Sequence, residues 1–304
     1  MPRLNSAAAL LLSLTAACAS TGPAAESYIQ TRDGALLSYR KVGNGPENVV
    51  VLSASWLSPD LDRLAKGRTL YYYDLRNRGR SGRAGSVRME RDLADLQEVL
   101  DWFKLERVTL VGHDYNAALA AVYASQNPTR VERLVLVSPI PARKFPYWNI
   151  YERVYGERVD DQAFQKLREL DRSHARRLDP DEWAAAYRQV VLSGWVQDMT
   201  TLRNMKAQPL VEPNLDPEPL HRQYKALLAS LGDWDFSAEL GQVHAQALVV
   251  GGEADPMPRE STTEWATLLP SARHSTIPRS GRLPWVERPS DFFTAVEGFL
   301  GGPR

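Results

Sequence analysis

The chain has 304 residues, of which 43% are hydrophobic and 24% are charged, and its 37 basic residues balance 37 acidic ones. This is the composition of a globular protein, and the absence of a basic excess gives no indication of a nucleic-acid partner. The single cysteine, Cys18, excludes an intramolecular disulfide and a zinc site built from thiolates.

The first 17 residues have the composition of an export signal. One arginine near the start precedes the apolar run Ala7–Ala17, which is too short to span a bilayer. The segment Leu14-Thr15-Ala16-Ala17-Cys18 resembles a bacterial lipoprotein signal, although Thr15 stands where leucine is preferred. That resemblance implies cleavage before Cys18, lipidation of its thiol and a membrane anchor in the cell envelope. The alternative is a plain export signal cut near Ala17 or Ala19, which predicts a periplasmic or secreted protein.

Eight short segments have the apolar runs or the alternation typical of β-strands. Arg32-Asp33-Gly34 joins the first two as a hairpin, and helical patterns such as the one over Met89–Phe103 separate later ones. This alternation predicts a mostly parallel sheet with helices on both faces. The predicted strands are Ser27–Thr31, Ala35–Val42, Asn48–Leu52, Arg68–Leu75, Arg107–Asp114, Val131–Ser138, Ala245–Gly251 and Ala272–Pro278.

Residues 140–240 lack strand patterns and are rich in aromatic residues. Helical spacing over Asp161–Leu178 and Asp181–Leu192 indicates a helical cap, which would cover an apolar pocket. Most of the aromatic side chains are expected to pack the cap against the core. They are Tyr147, Trp148, Tyr151, Tyr155, Trp183, Tyr187, Trp195, Tyr224, Trp234 and Phe236.

Two helices are predicted near the C-terminus. One covers Pro258–Leu269, and the other is indicated by the apolar residues from Phe292 to Leu300. Ser290 is a plausible N-cap for the second helix, because its hydroxyl can accept a hydrogen bond from a free backbone amide.

The most informative stretch is a strand, a tight turn and an alanine-rich helix around Gly112-His113-Asp114-Tyr115-Asn116. This is the context of a nucleophile elbow, in which a strained turn exposes the central residue above a sheet. The usual pattern is G-x-S-x-G. Here the carboxylate of Asp114 replaces the serine and Asn116 replaces the second glycine.

Three more segments, together with this elbow, resemble motifs of the α/β-hydrolase superfamily in the right order. They run from Asp74 to Ser81, from Leu248 to Pro256 and from Gly281 to Pro289. The resemblance implies an α/β-hydrolase fold: an eight-stranded, mostly parallel sheet with helices on both faces and an inserted helical cap. The implied domains are a signal peptide at 1–17, a core formed by 18–139 and 241–304, and a cap at 140–240.

The Asp elbow is similar to that of haloalkane dehalogenases and epoxide hydrolases, which implies that Asp114 attacks carbon and that Asp255 is the triad acid. A histidine would then activate water to cleave the resulting ester. Arg282 stands at the histidine position, and a guanidinium, always protonated, cannot act as a general base. We therefore expect Arg282 to form ion pairs with both carboxylates, which would keep Asp114 ionised and weaken it as a nucleophile.

The oxyanion region also departs from the family pattern, because Ser53 and Ala54 stand where His-Gly is usual. Backbone donors can survive such changes, so Ser53, Ala54, Ser55, Trp56 and Tyr115 are candidate oxyanion-hole or pocket residues. None of the histidines has a spacing that requires it to replace the missing base. These residues, which are expected at the surface or in the core, are His113, His174, His221, His244 and His274.

Three functions follow from this site. The first is a hydrolase of small apolar esters, epoxides or halides, with activity impaired or altered by the Asp114-Asp255-Arg282 triad. The second is a non-catalytic, lipid-anchored binding or interaction protein. The third is a lyase or isomerase in which Arg282 stabilises charge. All three predict a small apolar partner, no cofactor and no metal.

Overall fold

In the computed structural model the described residues are 27–207, 209 and 217–302, and the side chains of 176 and 217–223 are excluded from the description. The predicted signal peptide and Cys18 lie outside the described residues. Within the described part, no helix is long and apolar enough to cross a membrane.

Eight strands form one sheet in the order β1-β2-β4-β3-β5-β6-β7-β8. The first two pair antiparallel with each other, β2 pairs antiparallel with β4, and all later pairs are parallel. This confirms the predicted eight-stranded, mostly parallel sheet. The strands are β1 (Ser27–Gln30), β2 (Leu36–Gly43), β3 (Glu47–Leu52), β4 (Arg68–Tyr73), β5 (Val108–His113), β6 (Val131–Val137), β7 (Gln246–Gly252) and β8 (Ala272–Ile277).

Helices cover both faces of the sheet and fill the segment between β6 and β7. Two short 3-10 helices, Asp62–Ala65 and Met199–Asn204, accompany them. The α-helices are α1 (Ala54–Leu57), α2 (Met89–Trp102), α3 (Tyr115–Gln126), α4 (Tyr147–Arg158), α5 (Asp161–Arg172), α6 (Ala175–Leu178), α7 (Pro180–Ser193), α8 (Pro217–Leu231), α9 (Ser237–Leu240), α10 (Arg259–Leu268), α11 (Pro284–Glu287) and α12 (Pro289–Leu300).

The core has two main layers because side chains of successive strand residues point to opposite faces of the sheet. In β3, Val50 and Leu52 pack on the face covered by α2, α3 and α10, whereas Val49 and Val51 pack on the face covered by α12. The alanine-rich α3 is buried along most of its length, which explains why its sequence carries almost no charge. The elbow is therefore supported by a rigid strand and a buried helix.

The segment between β6 and β7 is helical where it is described, with the helices α4 to α9 and no strand longer than an isolated bridge between Arg143 and Asp235. A separate small core, which includes Leu167 and Trp183, joins α5 to α7. The boundaries 140 and 240 for a cap domain stay a prediction.

Several predicted boundaries are wrong. The helix predicted over Asp161–Leu178 is divided after Arg172, because His174 adopts a left-handed conformation with φ of 58° that an α-helix cannot contain. Ser290 is not an N-cap: α12 begins one residue earlier, at Pro289, and proline suits the first helical position because its missing N–H needs no acceptor there. Strand ends differ from prediction by one or two residues, as at β4, which ends at Tyr73 and not at Leu75.

Candidate active site

The elbow between β5 and α3 has the strained geometry of a nucleophile turn. Asp114 has φ of 57° and ψ of −127°, which non-glycine residues rarely adopt. Gly112 allows this turn to be tight, because a Cβ atom at this position would lie 2.3 Å from the carbonyl oxygen of Asn116. The elbow expected from the sequence is therefore present, with a carboxylate at its apex.

The three residues implied as a triad lie together at the carboxyl edge of the parallel strands. Asp114 follows β5, Asp255 lies in the loop after β7, and Arg282 lies in the loop after β8. The guanidinium of Arg282 donates from Nη2 to Oδ1 of Asp114 and from Nη1 to Asp255, at 3.0 Å from Oδ1 and 3.3 Å from Oδ2. The expected carboxylate–arginine–carboxylate cluster is thus formed.

The cluster is almost completely removed from water, since Arg282 is 0% exposed and the side chain of Asp114 is 11% exposed. Burial by itself lowers the pKa of Arg282, but the charges of Asp255 and Asp114 outweigh it and raise that pKa above its ordinary value. Burial raises the pKa of Asp114, and the opposing charge of Arg282 lowers it below its ordinary value. Both groups are therefore ionised at neutral pH.

Three aromatic residues complete the site, and the sequence did not single them out from the other cap aromatics. Tyr224 of α8 donates its hydroxyl to Oδ2 of Asp114 at 2.8 Å, so both oxygens of that carboxylate accept a hydrogen bond. The ring centroids of Tyr151 and Trp195 lie 5.4 Å and 5.9 Å from Cζ of Arg282. No local sequence pattern could have identified them, because their contacts join distant parts of the chain.

Trp195 also fixes the loop that carries Arg282. Its carbonyl oxygen accepts the Arg282 amide at 2.9 Å, and its indole donates to the Tyr151 hydroxyl at 2.9 Å. A Cβ atom on Gly281 would lie 2.1 Å from the same carbonyl oxygen, so glycine is needed for this close approach. The segment between β6 and β7 therefore positions the guanidinium through its backbone as well as its side chains.

None of the histidines whose side chains the structure describes is placed to act as the general base for Asp114. Nε2 of His113 lies 3.1 Å from the carbonyl oxygen of Arg282, and burial lowers the pKa of this imidazole to about 4. His174 and His244 are exposed, and half-buried His274 lies on β8, where burial lowers its pKa. The side chain of His221 lies outside the described residues.

The candidate oxyanion residues have most of their backbone donors engaged. The amide of Ser53 donates to Tyr73, that of Ser55 donates to the Asp74 carboxylate at 2.8 Å, and that of Trp56 donates to Ser53. The Trp56 ring packs on Trp195, with centroids 5.3 Å apart. Ala54 is half-buried and begins the short helix α1.

Tyr115, the remaining candidate, directs its side chain away from Asp114. Its hydroxyl donates to Asp92 at 2.9 Å, and the guanidinium of Arg78 lies 5.6 Å from its ring centroid. Only its backbone is therefore placed to contribute to an oxyanion site.

In this arrangement the negative charge of Asp114 is paired with the positive charge of Arg282. Arg282 and Tyr224 each donate a hydrogen bond to one oxygen of Asp114, and such bonds stabilise the ionised carboxylate. Neither partner is a base at neutral pH, because Arg282 is protonated and burial beside Asp114 raises the pKa of Tyr224 well above its ordinary value. Over the described residues, no group of three or more histidine, cysteine or acidic side chains is arranged to bind a metal.

Comparison with known proteins identifies the family. The model of the "Alpha/beta hydrolase family" matches residues 43–296. A proline iminopeptidase from Heyndrickxia coagulans is 22% identical over 288 residues, covering 90% of this chain and 98% of that protein. The sn-1-specific diacylglycerol lipase ABHD11 of Mus musculus is 25% identical over 234 residues, covering 77% of this chain and 72% of that protein.

Solved structures show the same fold. A hydrolase from Pseudomonas aeruginosa PA01 superposes with a TM-score of 0.66 at 25% identity, covering 92% of this chain and 100% of that one. The enol-lactonase from Burkholderia xenovorans LB400 superposes with a TM-score of 0.67 at 20% identity, covering 91% and 100% of the two chains. With the family match over most of its length and the observed sheet, the chain belongs to the alpha/beta hydrolase family.

Proposed function

We propose that this alpha/beta hydrolase-family protein binds a small, largely apolar molecule beneath its helical cap and does not hydrolyse it through an aspartate–histidine pair. The observation that carries the proposal is the buried guanidinium of Arg282, which bridges Asp114 and Asp255. An active triad of this kind would have an imidazole at that position.

The reaction that an Asp elbow performs needs two steps. In the first, the carboxylate of Asp114 would attack a carbon atom of the ligand, and the leaving group would depart as an alkyl–enzyme ester forms. In the second, water must lose a proton to a base while it attacks that ester. Arg282 cannot accept this proton, so a covalent ester formed at Asp114 would persist.

Ligand binding is supported by the aromatic surroundings of the cluster. Tyr151, Trp195 and Tyr224 surround the ion pairs, and Trp56 extends this surface from the core. Aromatic side chains give a large apolar contact area with a few polar groups to orient a ligand. Relatives described as a diacylglycerol lipase and an enol-lactonase support a ligand with an ester-like group.

A second candidate, hydrolysis with Asp114 as the nucleophile, is favoured by the backbone of the elbow. Asp114 retains φ of 57°, a strained conformation that ion pairing alone does not require. Relatives described as hydrolases support the same candidate. This candidate function requires a general base other than the residues that contact Asp114 in the described part of the structure.

The test is incubation with 4-nitrophenyl butyrate, styrene oxide and 1-bromobutane, followed by product assay and intact-protein mass in the same samples. Asp114→Ala removes the elbow carboxylate, and Asp291→Ala removes an exposed carboxylate of α12 as the matched control. The proposal predicts no turnover in any form, with a ligand-dependent rise in the unfolding midpoint. A stable adduct lost only in Asp114→Ala would also agree with it. Turnover lost in Asp114→Ala and kept in Asp291→Ala would establish the hydrolase candidate instead.

Export and anchoring at Cys18 are the second part of the proposal. They are supported by the apolar run Ala7–Ala17 and the Leu14-to-Cys18 segment before the first strand. Labelling of expressing cells with radioactive palmitate should mark the wild-type chain and leave Cys18→Ser unmarked. An unlabelled wild-type chain in a soluble envelope fraction would favour a plain export signal.

A further inference from the structure

One end of the molecule carries a surface rich in exposed arginines, formed by two segments: the β1–β2 hairpin, and the loop between β4 and α2 together with the adjoining residues of α2. Among the described residues of this surface there are five exposed arginines and three carboxylates, of which Asp33 and Glu90 are exposed and Glu98 is half-buried. We call it the arginine surface. Its exposed arginines are Arg32, Arg80, Arg83, Arg88 and Arg91.

The two segments of the arginine surface are joined by specific contacts. The amide of Gly82 donates to the carbonyl oxygen of Leu36 at 2.7 Å. In the hairpin, Oδ2 of Asp33 accepts a hydrogen bond from Nη1 of Arg76 at 2.8 Å and lies 3.3 Å from Nη1 of Arg91. Because these contacts connect the hairpin to the loop, the exposed groups of both segments belong to one ordered surface.

Three of its arginines are available for an external anion. Among the described residues, no carboxylate lies within ion-pair distance of the guanidinium groups of Arg32, Arg83 and Arg88. Leu36, between the hairpin and the loop, is 44% exposed, and Tyr28 on the edge strand β1 is 36% exposed. Basic groups interspersed with exposed apolar and aromatic side chains are typical of surfaces that contact lipid headgroups.

The start of the described chain lies at the same end of the molecule. The edge strand β1 begins at Ser27 and has four residues, so it spans about 13 Å before the hairpin. Ser27 lies nine positions after Cys18, and a chain of that length can extend at most about 30 Å. A globule of this size is roughly 50 Å across. An anchor at Cys18 would therefore hold this end of the sheet, rather than the β8 end, close to the bilayer.

The register of the sheet places the arginine surface at the same edge as the elbow. Since β2 runs antiparallel to β4 and Tyr39 pairs with Tyr73, the hairpin lies at the carboxyl end of β4. The elbow follows the carboxyl end of β5, which is parallel to β3 and β4. A membrane at the arginine surface would thus lie beside the site-bearing edge of the sheet.

We propose that the arginine surface docks the protein on an anionic phospholipid bilayer, with Arg32, Arg83 and Arg88 at the headgroups and Leu36 in the interface. This inference does not depend on whether the cap site binds or hydrolyses its ligand. Docking would orient the carboxyl edge of the sheet toward the membrane, where apolar molecules are concentrated.

The test uses the full-length chain with Cys18→Ser, so that an acyl chain contributes nothing. Co-sedimentation is measured with phosphatidylcholine vesicles and with vesicles that also contain phosphatidylglycerol. A basic residue near an anionic surface contributes about fivefold in partitioning, so Arg32→Gln/Arg83→Gln/Arg88→Gln should weaken binding about 100-fold. The matched control is Arg259→Gln/Arg273→Gln/Arg279→Gln, which makes the same charge change near β8. Its loss of vesicle affinity should be less than a tenth of the loss in the first triple variant.

Two further results are expected on the same physical basis. Leu36→Ser should weaken vesicle binding by a factor that does not change with salt concentration, because leucine carries no charge. Raising the salt concentration from about 0.1 M to about 1 M should release the wild-type surface, because it shortens the screening length. Equal binding by both triple variants, or equal binding to vesicles with and without phosphatidylglycerol, would overturn the proposal. Retention on a soluble polyanion without vesicle binding would also overturn it and indicate a polyanionic macromolecule.

Discussion

Removal of the charge on Arg282 should lower the stability of the fold, because this guanidinium pairs with two carboxylates. In Arg282→Gln, two buried carboxylates, Asp114 and Asp255, lose the cation that they share. Removing one partner of a buried ion pair typically lowers the free energy of unfolding by about 3–5 kcal/mol, because a buried charge remains uncompensated. We expect a loss of that size at neutral pH, since Arg282 is completely buried.

The loss should depend on pH, and its sign follows from the pKa of Asp114. In the wild type that pKa is below the unfolded value of about 3.9, so the stabilisation is present above this value and lost as the pH falls through the lowered pKa. Without Arg282, burial dominates and the pKa of Asp114 rises above the unfolded value. The variant then gains stability as the pH falls below that raised pKa, and its difference from the wild type becomes smaller in acid.

The assay is urea unfolding followed by tryptophan fluorescence at several pH values. A loss of 3–5 kcal/mol corresponds to a midpoint shift of roughly 1 M or more for a chain of this size. Arg63→Gln, which removes an exposed ion pair with Glu297, is the matched control and should leave the midpoint unchanged. Adding Asp114→Asn to Arg282→Gln should recover part of the loss, because one stranded carboxylate disappears. A midpoint equal to that of Arg63→Gln, or a shift independent of pH, would refute the reasoning.

Three further predictions are measured by the same urea assay, two at the elbow and one in α12. Tyr224→Phe removes the hydroxyl donor to Asp114 and should cost about 1–3 kcal/mol, whereas an unchanged midpoint would mean that solvent replaces the donor. Gly112→Ala should cost at least about 1–3 kcal/mol, because its Cβ would overlap the carbonyl oxygen of Asn116. Gly298→Ala should stabilise by about 0.5–1 kcal/mol, since a Cβ there meets nothing within 4 Å and alanine favours a helix. If both glycine variants lost stability, the overlap of a Cβ at position 112 with the Asn116 carbonyl oxygen would not be the cause of the loss in Gly112→Ala.

The sequence by itself determined the sheet, the elbow and the charge of the residue at position 282. Alternating and continuous apolar runs identify strands because side-chain direction along an extended chain depends only on position. Gly112 and Asp114 identify the elbow, because few residues tolerate such a turn. Arg282 cannot itself act as a general base whatever the fold, because protonation of a guanidinium is a property of the residue itself.

Only the tertiary structure decided which distant groups meet. Tyr224 reaches Asp114 because α8 lies over the carboxyl edge of the sheet, and nothing in the local sequence distinguishes it from Tyr147 or Trp234. The direction of His113 toward the backbone of Arg282 also depends on packing of the loop after β8. Such contacts join residues far apart in the chain, and their geometry is set by helix and loop packing, which periodicity and motif spacing do not encode.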